Sequence, residues 1–492
     1  MNRCVMNKIL LILLLFVSVQ THAQTPEVLR LHEVVGMAQM RSPAYLRSKT
    51  TYENNYWRYK NFRAGMLPEL RAFGTVPNFN RSIERITLPD GTDAFVNRSL
   101  ATSAATLSLN QQVPWTGGQF SFISSLQRID LLGSQSGTSY LGTPFSLSYF
   151  QNNIFYNRFR WERQTEPLRF QEAERGFAEE LEEIAIQASS LYFELLLAEN
   201  NYRLALTNLA NTDTLFQISQ GRYQLGKIAE NDLLQIELSL LNARNRVAET
   251  QLELELRQQD IKRYLNLNQR ENIVLEVPTQ VRFFEVRPDK ALDQARANRR
   301  AVLEFRRRRL EAEQQVAQSK GDNRAQLGIS ANFGLTQSGV TLGSVYTNPQ
   351  DQRNVALTMS IPLINWGVTR SRIRMAEANR ELVEVNVQQD EINFEQEILL
   401  QVMRFNMLRD QLLVAAKADT IAQKRFDVTK ERYLIGKISI TDLNLSVQEK
   451  DLARQAYINT LRSYWQLYYL LRRLTLYDFA AQQPLARPEV KF

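Results

Sequence analysis

Cysteine and histidine are almost missing from this sequence, which leaves little material for thiolate or imidazole chemistry. The 492 residues contain one cysteine, Cys4, and two histidines, His22 and His32. Cys4 and His22 fall in an N-terminal segment that reads as a removable signal, so the mature chain keeps only His32, which we expect on a helix surface. The mature chain then has no disulfide or thiolate metal site, and no pair of carboxylates marks a catalytic cleft. We therefore predict no enzyme activity, no cofactor and no metal.

Long apolar runs are also missing beyond the N-terminus. The segment MNRCVMNKILLILLLFVSVQTHAQ combines basic residues, an apolar run at Ile9–Val17 and small cleavage-site residues, so residues 1–23 are predicted to be a secretory signal. Cys4 precedes the apolar run and cannot serve as a lipid-anchor cysteine, so a lipoprotein is not expected. No later apolar run reaches the ~18 residues of a spanning helix, so any membrane crossing has to use strands.

A strong excess of one charge sign is absent as well. The chain has 60 lysines and arginines against 52 aspartates and glutamates. Loss of Arg3 and Lys8 with the signal leaves 58 against 52, with both signs interleaved. This mild excess does not favour a nucleic-acid partner.

One loop motif occurs twice. RYQLGKIAENDLL at 222–234 returns as RYLIGKISITDLN at 432–444, an offset of 210 residues. The first copy, with its Gly221, Gly226 and Lys227, is one residue short of a phosphate-binding P-loop. However, Ile228 stands where that loop needs a hydroxyl, and the preceding sequence is helical instead of a strand. The motif therefore indicates an internal repeat and not a nucleotide site.

A heptad seam precedes the first copy of the motif and predicts a long packed helix. Apolar or small residues alternate in steps of three and four at Leu181, Ile184, Ala188, Leu191, Leu195, Ala198, Tyr202, Ala205, Leu209, Thr212 and Phe216. The offset of 210 places a second seam at Val387, Phe394, Ile398, Phe405, Leu408, Leu412, Ala415, Ala422 and Phe426. Glu391, Gln401 and Asp419 interrupt this second seam. The first helix is predicted from about Trp161 to Arg222, roughly 90 Å at 1.5 Å per residue.

A second helical stretch follows each copy of the motif, which makes each copy the turn of a long antiparallel hairpin. Gly226 and Gly436 fit the positive-φ residue that ends a descending helix. Asn231 and Thr441 are suitable N-caps, each followed by an aspartate that complements the helix dipole.

Alternating sequences predict strands ahead of each hairpin. Gly74 matches Gly334 at an offset of 260, whereas later matches lie at 210, so the first half holds about 50 extra residues. Within them, residues 105–126 form two alternating runs around a Pro-Trp-Thr-Gly-Gly turn. They are either an added hairpin or a long extracellular loop.

The chain thus divides into two similar halves. Pro278 and Pro288 exclude one continuous helix through the linker between them. The first repeat is predicted at 24–270, with a helix at 31–66, strands at about 68–157 and a helical hairpin at about 160–267. After a linker at 271–287, the second repeat is predicted at 288–478, with a helix at 288–320, strands at about 325–365 and a helical hairpin at about 366–477. The tail at 479–492 is predicted to be irregular and exposed.

This order of elements resembles the TolC-type outer membrane efflux proteins over essentially the whole mature chain. The twin Arg-Tyr-x-x-Gly-Lys-Ile-x-x-x-Asp-Leu turn is similar to the periplasmic tip signature of that family, and MSIPLINWG is similar to its strand-to-helix junction. The resemblance implies an α+β membrane protein of two internal repeats. It implies a trimeric outer-membrane β-barrel, with about four strands per protomer and possibly an extra hairpin, continued by a periplasmic α-helical coiled-coil barrel.

The resemblance also implies site residues at the tip. Candidates for docking a periplasmic adaptor are Arg222, Leu225, Gly226, Lys227, Arg432, Ile435, Gly436 and Lys437. Tyr433 and Asp232 match a tyrosine and an aspartate that close the tip in the family, and Asp442 matches an acid of the constriction. Ile438 stands where the family has its closing arginine, and Lys437 is a candidate to replace that arginine. Leu445 stands where the family has its second constriction acid. The plain structural alternatives are that the glycines only end helices and that Asp442 only stabilises a helix start.

The resemblance implies an outer-membrane exit duct that passively conducts small molecules or polypeptides from the periplasm to the exterior. Its partners would be two further copies of the chain, an adaptor, an inner-membrane RND or ABC transporter, and outer-membrane lipid. The alternative from another class is a periplasm-spanning structural coiled-coil protein without a channel. The sequence leaves the cargo and the identity of adaptor and pump open.

Overall fold

A computed structural model describes residues 27–132, 136–268, 273–278, 281, 283–435 and 437–485. The predicted signal at 1–23, Gly436 and the end of the tail lie outside these residues. His32 is exposed on a helix, as expected.

Long helices and mostly antiparallel strands make up the described chain. The helices are α1 Leu31–Arg41, α2 Pro43–Ala64, α3 Arg158–Gln224, α4 Glu230–Leu265, α5 Pro288–Asn298, α6 Arg300–Asn323, α7 Val368–Leu434 and α8 Ile440–Thr475. The strands are β1 Glu27–Leu29, β2 Glu69–Thr87, β3 Asp93–Gln112, β4 Gln119–Leu132, β5 Gly137–Gln151, β6 Ile273–Leu275, β7 Gln326–Gly339, β8 Gln350–Ser360, β9 Tyr477–Asp478 and β10 Gln483–Pro484. None of these helices combines the length and apolarity needed to cross a bilayer.

Two compact units share these elements. The hairpin unit comprises residues 27–50, 177–298 and 397–485, and the sheet unit comprises 51–176 and 299–396.

The helices that lead into the strands are interrupted where the sequence predicted continuous ones. Ser42 separates α1 from α2 and has an extended backbone with ψ 150°, because the following Pro43 disfavours helical geometry at the residue before it. Arg299 separates α5 from α6 with a similar extended conformation, ψ 143°.

The sheet unit contains one antiparallel sheet in the order β2-β3-β4-β5-β7-β8. Residues 105–126 lie in β3 and β4 and in the turn between them, so the added hairpin is correct and the loop alternative is wrong. The sheet has six strands where about four were expected. Strand β8 ends at Ser360, earlier than the predicted 365, and Pro362 beyond it has no N–H for a ladder.

The two faces of this sheet differ sharply in polarity. One face carries the cross-strand row Leu70, Leu109, Phe122, Leu147 and Phe333, all more than a third exposed. The other carries the row Asn110, Ser121, Ser148 and Asn332, in which the Ser121 hydroxyl donates to Asn110 Oδ1 at 2.7 Å. Strands alternate their side chains between faces, so the pattern requires an apolar surrounding on one side and a polar one on the other.

The helices that form the hairpins have equal lengths in the two halves. Helices α3 and α7 each have 67 residues and begin 210 residues apart, as do α4 and α8, with 36 residues each. Every residue of both predicted seams is buried or half-buried. Two polar interruptions are paired: Glu391 with Arg309 at 2.8 Å, and Asp419 with Arg454 at 2.9 Å.

The tail is less irregular than predicted, and the linker contains a short strand. Ile273–Leu275 of the linker forms β6, which pairs in parallel with β1. In the tail, Gln483–Pro484 pairs with Tyr477–Asp478, and Phe479 is only 4% exposed. Apolar side chains such as Phe479 and Leu476 anchor this short segment.

The second helix of each hairpin begins two residues earlier than expected. The predicted N-caps Asn231 and Thr441 are wrong, because Ala229 and Ser439 occupy the N-cap positions. Ser439 Oγ accepts the Asp442 N–H at 3.2 Å, and the Asp442 carboxylate accepts the Ser439 N–H at 3.3 Å. This reciprocal capping box satisfies two free backbone donors at once. Ala229, at the equivalent position of the other hairpin, has no side-chain acceptor.

Exchanging serine and alanine at these two N-caps should have opposite effects on the stability of the two helix starts. Ser439→Ala should weaken the first turn of α8 by about 1 kcal/mol, while Ala229→Ser should strengthen that of α4 by a similar amount, because Asp232 stands three residues on. Amide hydrogen exchange of these turns measures the effect, with about fivefold faster and slower exchange expected. Unchanged exchange in both variants would contradict the assigned caps.

Candidate functional site: the two tip turns

The repeated motif forms two tight turns in the hairpin unit, here called the tip turns and comprising residues 225–229 and 435–439. In the first, the Lys227 N–H donates to the Arg222 carbonyl at 2.9 Å. In the second, the Lys437 N–H donates to the Arg432 carbonyl at the same distance. A bond from a residue to the fifth one before it is the closing bond of a Schellman-type helix end. The duplicated sequence therefore folds into duplicated turns.

Gly226 has the positive φ that the sequence predicted, +68°. No atom lies within 4 Å of the position that a Cβ would take, so space does not require glycine there. The requirement is the left-handed backbone, which side-chain-bearing residues adopt at a cost. Gly226 thus ends α3, and its docking role stays a prediction. Gly436 lies outside the described residues.

A small hydrophobic cluster lies behind the tip turns. Its buried members are Ile236, Phe426, Tyr433, Ile440 and Leu443, and it is extended by Leu215, Phe216, Ile438 and Val447. These side chains come from α3, α4, α7, α8 and the second tip turn, so one core fixes both turns of the chain. Ile438, the position of the family's closing arginine, is part of this core.

The surface of the tip turns combines apolar and cationic side chains. Leu225 is 72% exposed and Ile435 is 65% exposed, one on each turn. The Arg222 guanidinium donates to the Leu434 carbonyl at 2.9 Å and thereby ties the first turn to the second. Lys227, Arg432 and Lys437 are exposed. The structure therefore places the described docking candidates, which do not include Gly436, at or next to two turns that one hydrophobic cluster and one hydrogen bond connect.

The predicted closing residues Tyr433 and Asp232 are not joined to each other within the chain. Tyr433 is only 7% exposed, and its hydroxyl lies 3.5 Å from Ser219 Oγ. Asp232 is half-buried, and its carboxylate has no hydrogen bond or ion pair to another residue in the described part of the chain. A buried aromatic ring and an unengaged acid thus lie on the same tip.

Asp442 differs from Asp232 although the two are equivalent in the repeat. Hydrogen bonds from the Ser439 hydroxyl and then from the Ser439 N–H hold the pKa of the Asp442 carboxyl below its usual range. Its structural role at the helix start is therefore fulfilled, and its role at a constriction stays a prediction. Leu445, one turn further on, is 48% exposed.

Sequence reasoning missed a buried lysine next to the cluster. Lys450 is 4% exposed, lies 4.4 Å from the centre of the Phe426 ring and contacts Asn208 Oδ1 at 3.4 Å. Asn208 in turn donates to Asp451 at 2.8 Å. Comparison of the two halves could have predicted this burial, because the residue equivalent to Lys450 in the first half is Leu240, which is 5% exposed. One half thus buries a charge where the other buries a leucine.

A groove beside the second tip turn carries positive charge. It has a volume of about 500 Å³ and is lined by Ile421, Lys424, Arg425, Val428, Arg432 and Asp442, among others. Arg425 is paired with Glu449. Lys424 is exposed and has no partner in the described part of the chain. The groove therefore suits an apolar surface that bears acidic groups.

Comparisons with known proteins agree on one fold. The chain has a TM-score of 0.64 to the CmeC outer membrane channel of Campylobacter jejuni, with 16% identity over 90% of this chain and 85% of that one. For the outer membrane protein VceC of Vibrio cholerae the TM-score is 0.63, with 15% identity over 90% and 95%. For the MtrE outer membrane channel of Neisseria gonorrhoeae it is 0.58, with 14% identity over 91% and 89%. Identities this low establish the shared fold alone.

The sequence itself gives a second, independent result. No curated protein sequence matches the chain. Residues 291–475, which cover most of the second half, match the family described as outer membrane efflux protein. Residues 291–475 therefore match the outer membrane efflux protein family by sequence, and about nine tenths of the chain share the fold of the channels named above.

Proposed function

We propose that the chain is the outer-membrane exit duct of a tripartite efflux pump or type I secretion system. The observation that carries this proposal is the antiparallel sheet with one exposed apolar face and one polar face. An exposed row of leucines and phenylalanines is stable against lipid, and a polar face suits a water-filled passage. The alternative, a structural coiled-coil protein of the periplasm, does not explain a sheet with one exposed apolar face.

The two edge strands of this sheet support closure by further copies of the chain. Strand β2 begins the sheet and β8 ends it, and neither pairs with a second strand among the described residues. Unpaired backbone N–H and C=O groups are very costly in lipid, so a membrane sheet has to close. The edges run in opposite directions, which permits antiparallel pairing between copies. Three copies then form a ring of eighteen strands, a size that leaves an aqueous channel.

Two exposed apolar stripes in the hairpin unit support the same assembly. On α7 exposed apolar side chains recur every seven residues, at Leu400, Met407, Val414, Ile421 and Val428, with exposures of 42 to 69%. On α4 they are Leu234, Leu238, Leu241, Leu252 and Leu256, with exposures of 51 to 60%. Sustained seven-residue spacing marks a helix-packing seam, and these seams lack a partner within the described chain. We infer that α7 of one copy packs on α4 of the next.

The charges beside the stripes are complementary. Residues 230–255 carry six acidic and two basic side chains, whereas residues 414–435 carry five basic and three acidic ones. Like charges brought together across a helix interface oppose association, and opposite charges select the partner. This arrangement favours α7 against α4 over either helix against itself.

A charge exchange tests this interface. Lys417→Glu with Lys424→Glu should weaken the trimer, and so should Glu230→Lys with Glu237→Lys, because each places like charges along the seam. Each reversed pair costs up to about 1 kcal/mol, so roughly tenfold dissociation is expected for either double variant. Analytical ultracentrifugation in detergent measures it. Combining all four substitutions should restore the trimer, and failure of this restoration would refute the α7–α4 pairing.

For closure of the duct we propose that Tyr433 and Asp232 hold the tip shut. The unengaged Asp232 carboxylate is available to a donor on an adjacent copy, whereas Asp442 is held by Ser439. The Lys437 ammonium is exposed on the tip and is the nearest substitute for the missing arginine at Ile438. Three copies of Asp442 around a narrow opening would favour cations.

Planar-bilayer recordings test both the duct and its closure. The purified chain should give discrete conductance steps, and Tyr433→Phe with Asp232→Ala should raise the single-channel conductance several-fold by releasing the tip. Asp442→Asn should leave the conductance near that of the parent but lower its cation preference. A chain that never conducts would refute the duct. A conducting chain unaffected by the double substitution would refute only the gate.

For adaptor docking we propose the surface of the tip turns, where Leu225 and Ile435 are exposed between cations. An exposed apolar residue in a cationic surround suits a partner tip with apolar and acidic residues. Leu225→Asp with Ile435→Asp should abolish dye efflux in cells that contain the cognate adaptor and pump. The same variant should keep its conductance in bilayers, where no adaptor is present.

Leu452→Asp is a matched control, because Leu452 is an exposed leucine of α8, 56% exposed and away from the tip turns. It should preserve efflux. Normal efflux by the Leu225/Ile435 variant at normal expression would rule out this docking surface.

A further inference from the structure

A pocket at the base of the sheet is not accounted for by duct, gate or docking surface. It lies in the sheet unit between the β3–β4 turn and the first turns of α3 and has a volume of about 380 Å³. Its lining consists of Pro114, Trp115, Asn157, Arg160, Arg163 and Gln164.

The walls of this pocket are fixed to each other. Asn157 Nδ2 donates to the carbonyls of Pro114 at 2.8 Å and Trp115 at 3.0 Å. Asn157 Oδ1 accepts the Arg160 N–H at 3.2 Å and so caps the start of α3. One side chain therefore holds the turn against the helix, and the pocket is a built feature of the fold.

The turn that forms the pocket lies on the apolar side of the sheet. Tyr149 and Phe120 are cross-strand neighbours on the apolar face. The Tyr149 hydroxyl donates to Thr116 Oγ1 at 2.8 Å. A Cβ on Gly118 would come within 2.5 Å of this hydroxyl, so the turn and the tyrosine are in close contact. The pocket thus lies where the apolar face ends.

The pocket presents uncompensated positive charge next to an exposed indole. Arg160 and Arg163 are exposed and have no partner in the described part of the chain. The first turn of α3 contains no acid, and the helix dipole disfavours cations there, so these arginines do not serve the helix. Trp115 is 84% exposed. Tryptophan prefers the boundary between hydrocarbon and headgroups, and arginine binds phosphate there.

We propose that this pocket binds the phosphate headgroup of an anionic phospholipid at the inner surface of the membrane. The proposal rests on the membrane placement of the sheet that the proposed function requires. Arg160 and Arg163 would receive the phosphate, while the Trp115 ring would lie beside the upper acyl chain. Each arginine near an anionic surface contributes roughly a fivefold preference, so about 25-fold is expected from both.

Fluorescence quenching in lipid nanodiscs tests the pocket. The full chain is reconstituted in phosphatidylcholine with brominated phosphatidylglycerol or, for comparison, with brominated phosphatidylcholine. The chain has five tryptophans, so the difference between the parent and Trp115→Phe isolates the signal of Trp115. Titration of the brominated fraction should show stronger quenching by the anionic lipid, and this preference should fall in high salt.

Arg160→Gln with Arg163→Gln should reduce the preference for the anionic lipid by about 25-fold while quenching by phosphatidylcholine persists. Arg81→Gln with Arg306→Gln is the matched control, because both arginines are exposed, lie elsewhere in the sheet unit and have no partner in the described residues. This control removes the same charge and should retain the preference.

The outcomes separate the pocket from the duct. Equal quenching of Trp115 by both lipids, or an unchanged preference in the Arg160/Arg163 variant, would overturn the pocket even if the chain conducts in bilayers. No quenching of Trp115 by either lipid would show that the base of the sheet is away from the membrane, and the proposed placement would fail with it.

Discussion

Burial of a seven-residue repeat along α3 and α7 is the interaction on which the hairpin unit depends. Small residues such as Ala188 and Ala198 alternate with larger ones on the seam and are at most 3% exposed. Such close packing holds helices in one register over many turns. That register holds the ends of the helices side by side, so that both tip turns lie on one hydrophobic cluster. The exposed leucine and isoleucine of the turns are therefore presented by a rigid support.

The two helical hairpins have equal helix lengths and differ in their polar residues. Ser439 stands where the first half has Ala229, and Lys450 stands where it has Leu240. The first change leaves Asp232 free while Asp442 is engaged, although both acids occupy the same place in the repeat. The second change introduces a buried charge beside Phe426. The two hairpins thus end in turns with the same closing hydrogen bond but with different polar residues beside them.

The sequence predicted the long helices to within a few residues, because a seam sustained over many heptads leaves little freedom in type or extent. The helix starts after the turns were misplaced by two residues, since Ser439 forms its capping box with Asp442 and Thr441 is next to that acid. Strands β2 and β3 are much longer than the alternating apolar sequences within them, because the strand pairing continues through charged residues such as Arg81 and Glu84. The neighbour of Tyr433, Ser219, is 214 residues away, and no local pattern encodes such a contact.

The unequal lengths of the two sheet edges have a consequence for the outer rim of the assembly. Strand β2 has 19 residues and β8 has 11, so eight positions of β2 find no partner when copies close edge to edge. The stretch Asn80–Thr87 includes Arg81, Glu84 and Arg85, and such charges oppose the pairing of a strand from another protein with this edge. In the proposed trimer this charged stretch would extend past the neighbouring strand in each of the three copies, where an antibody or a phage could bind it.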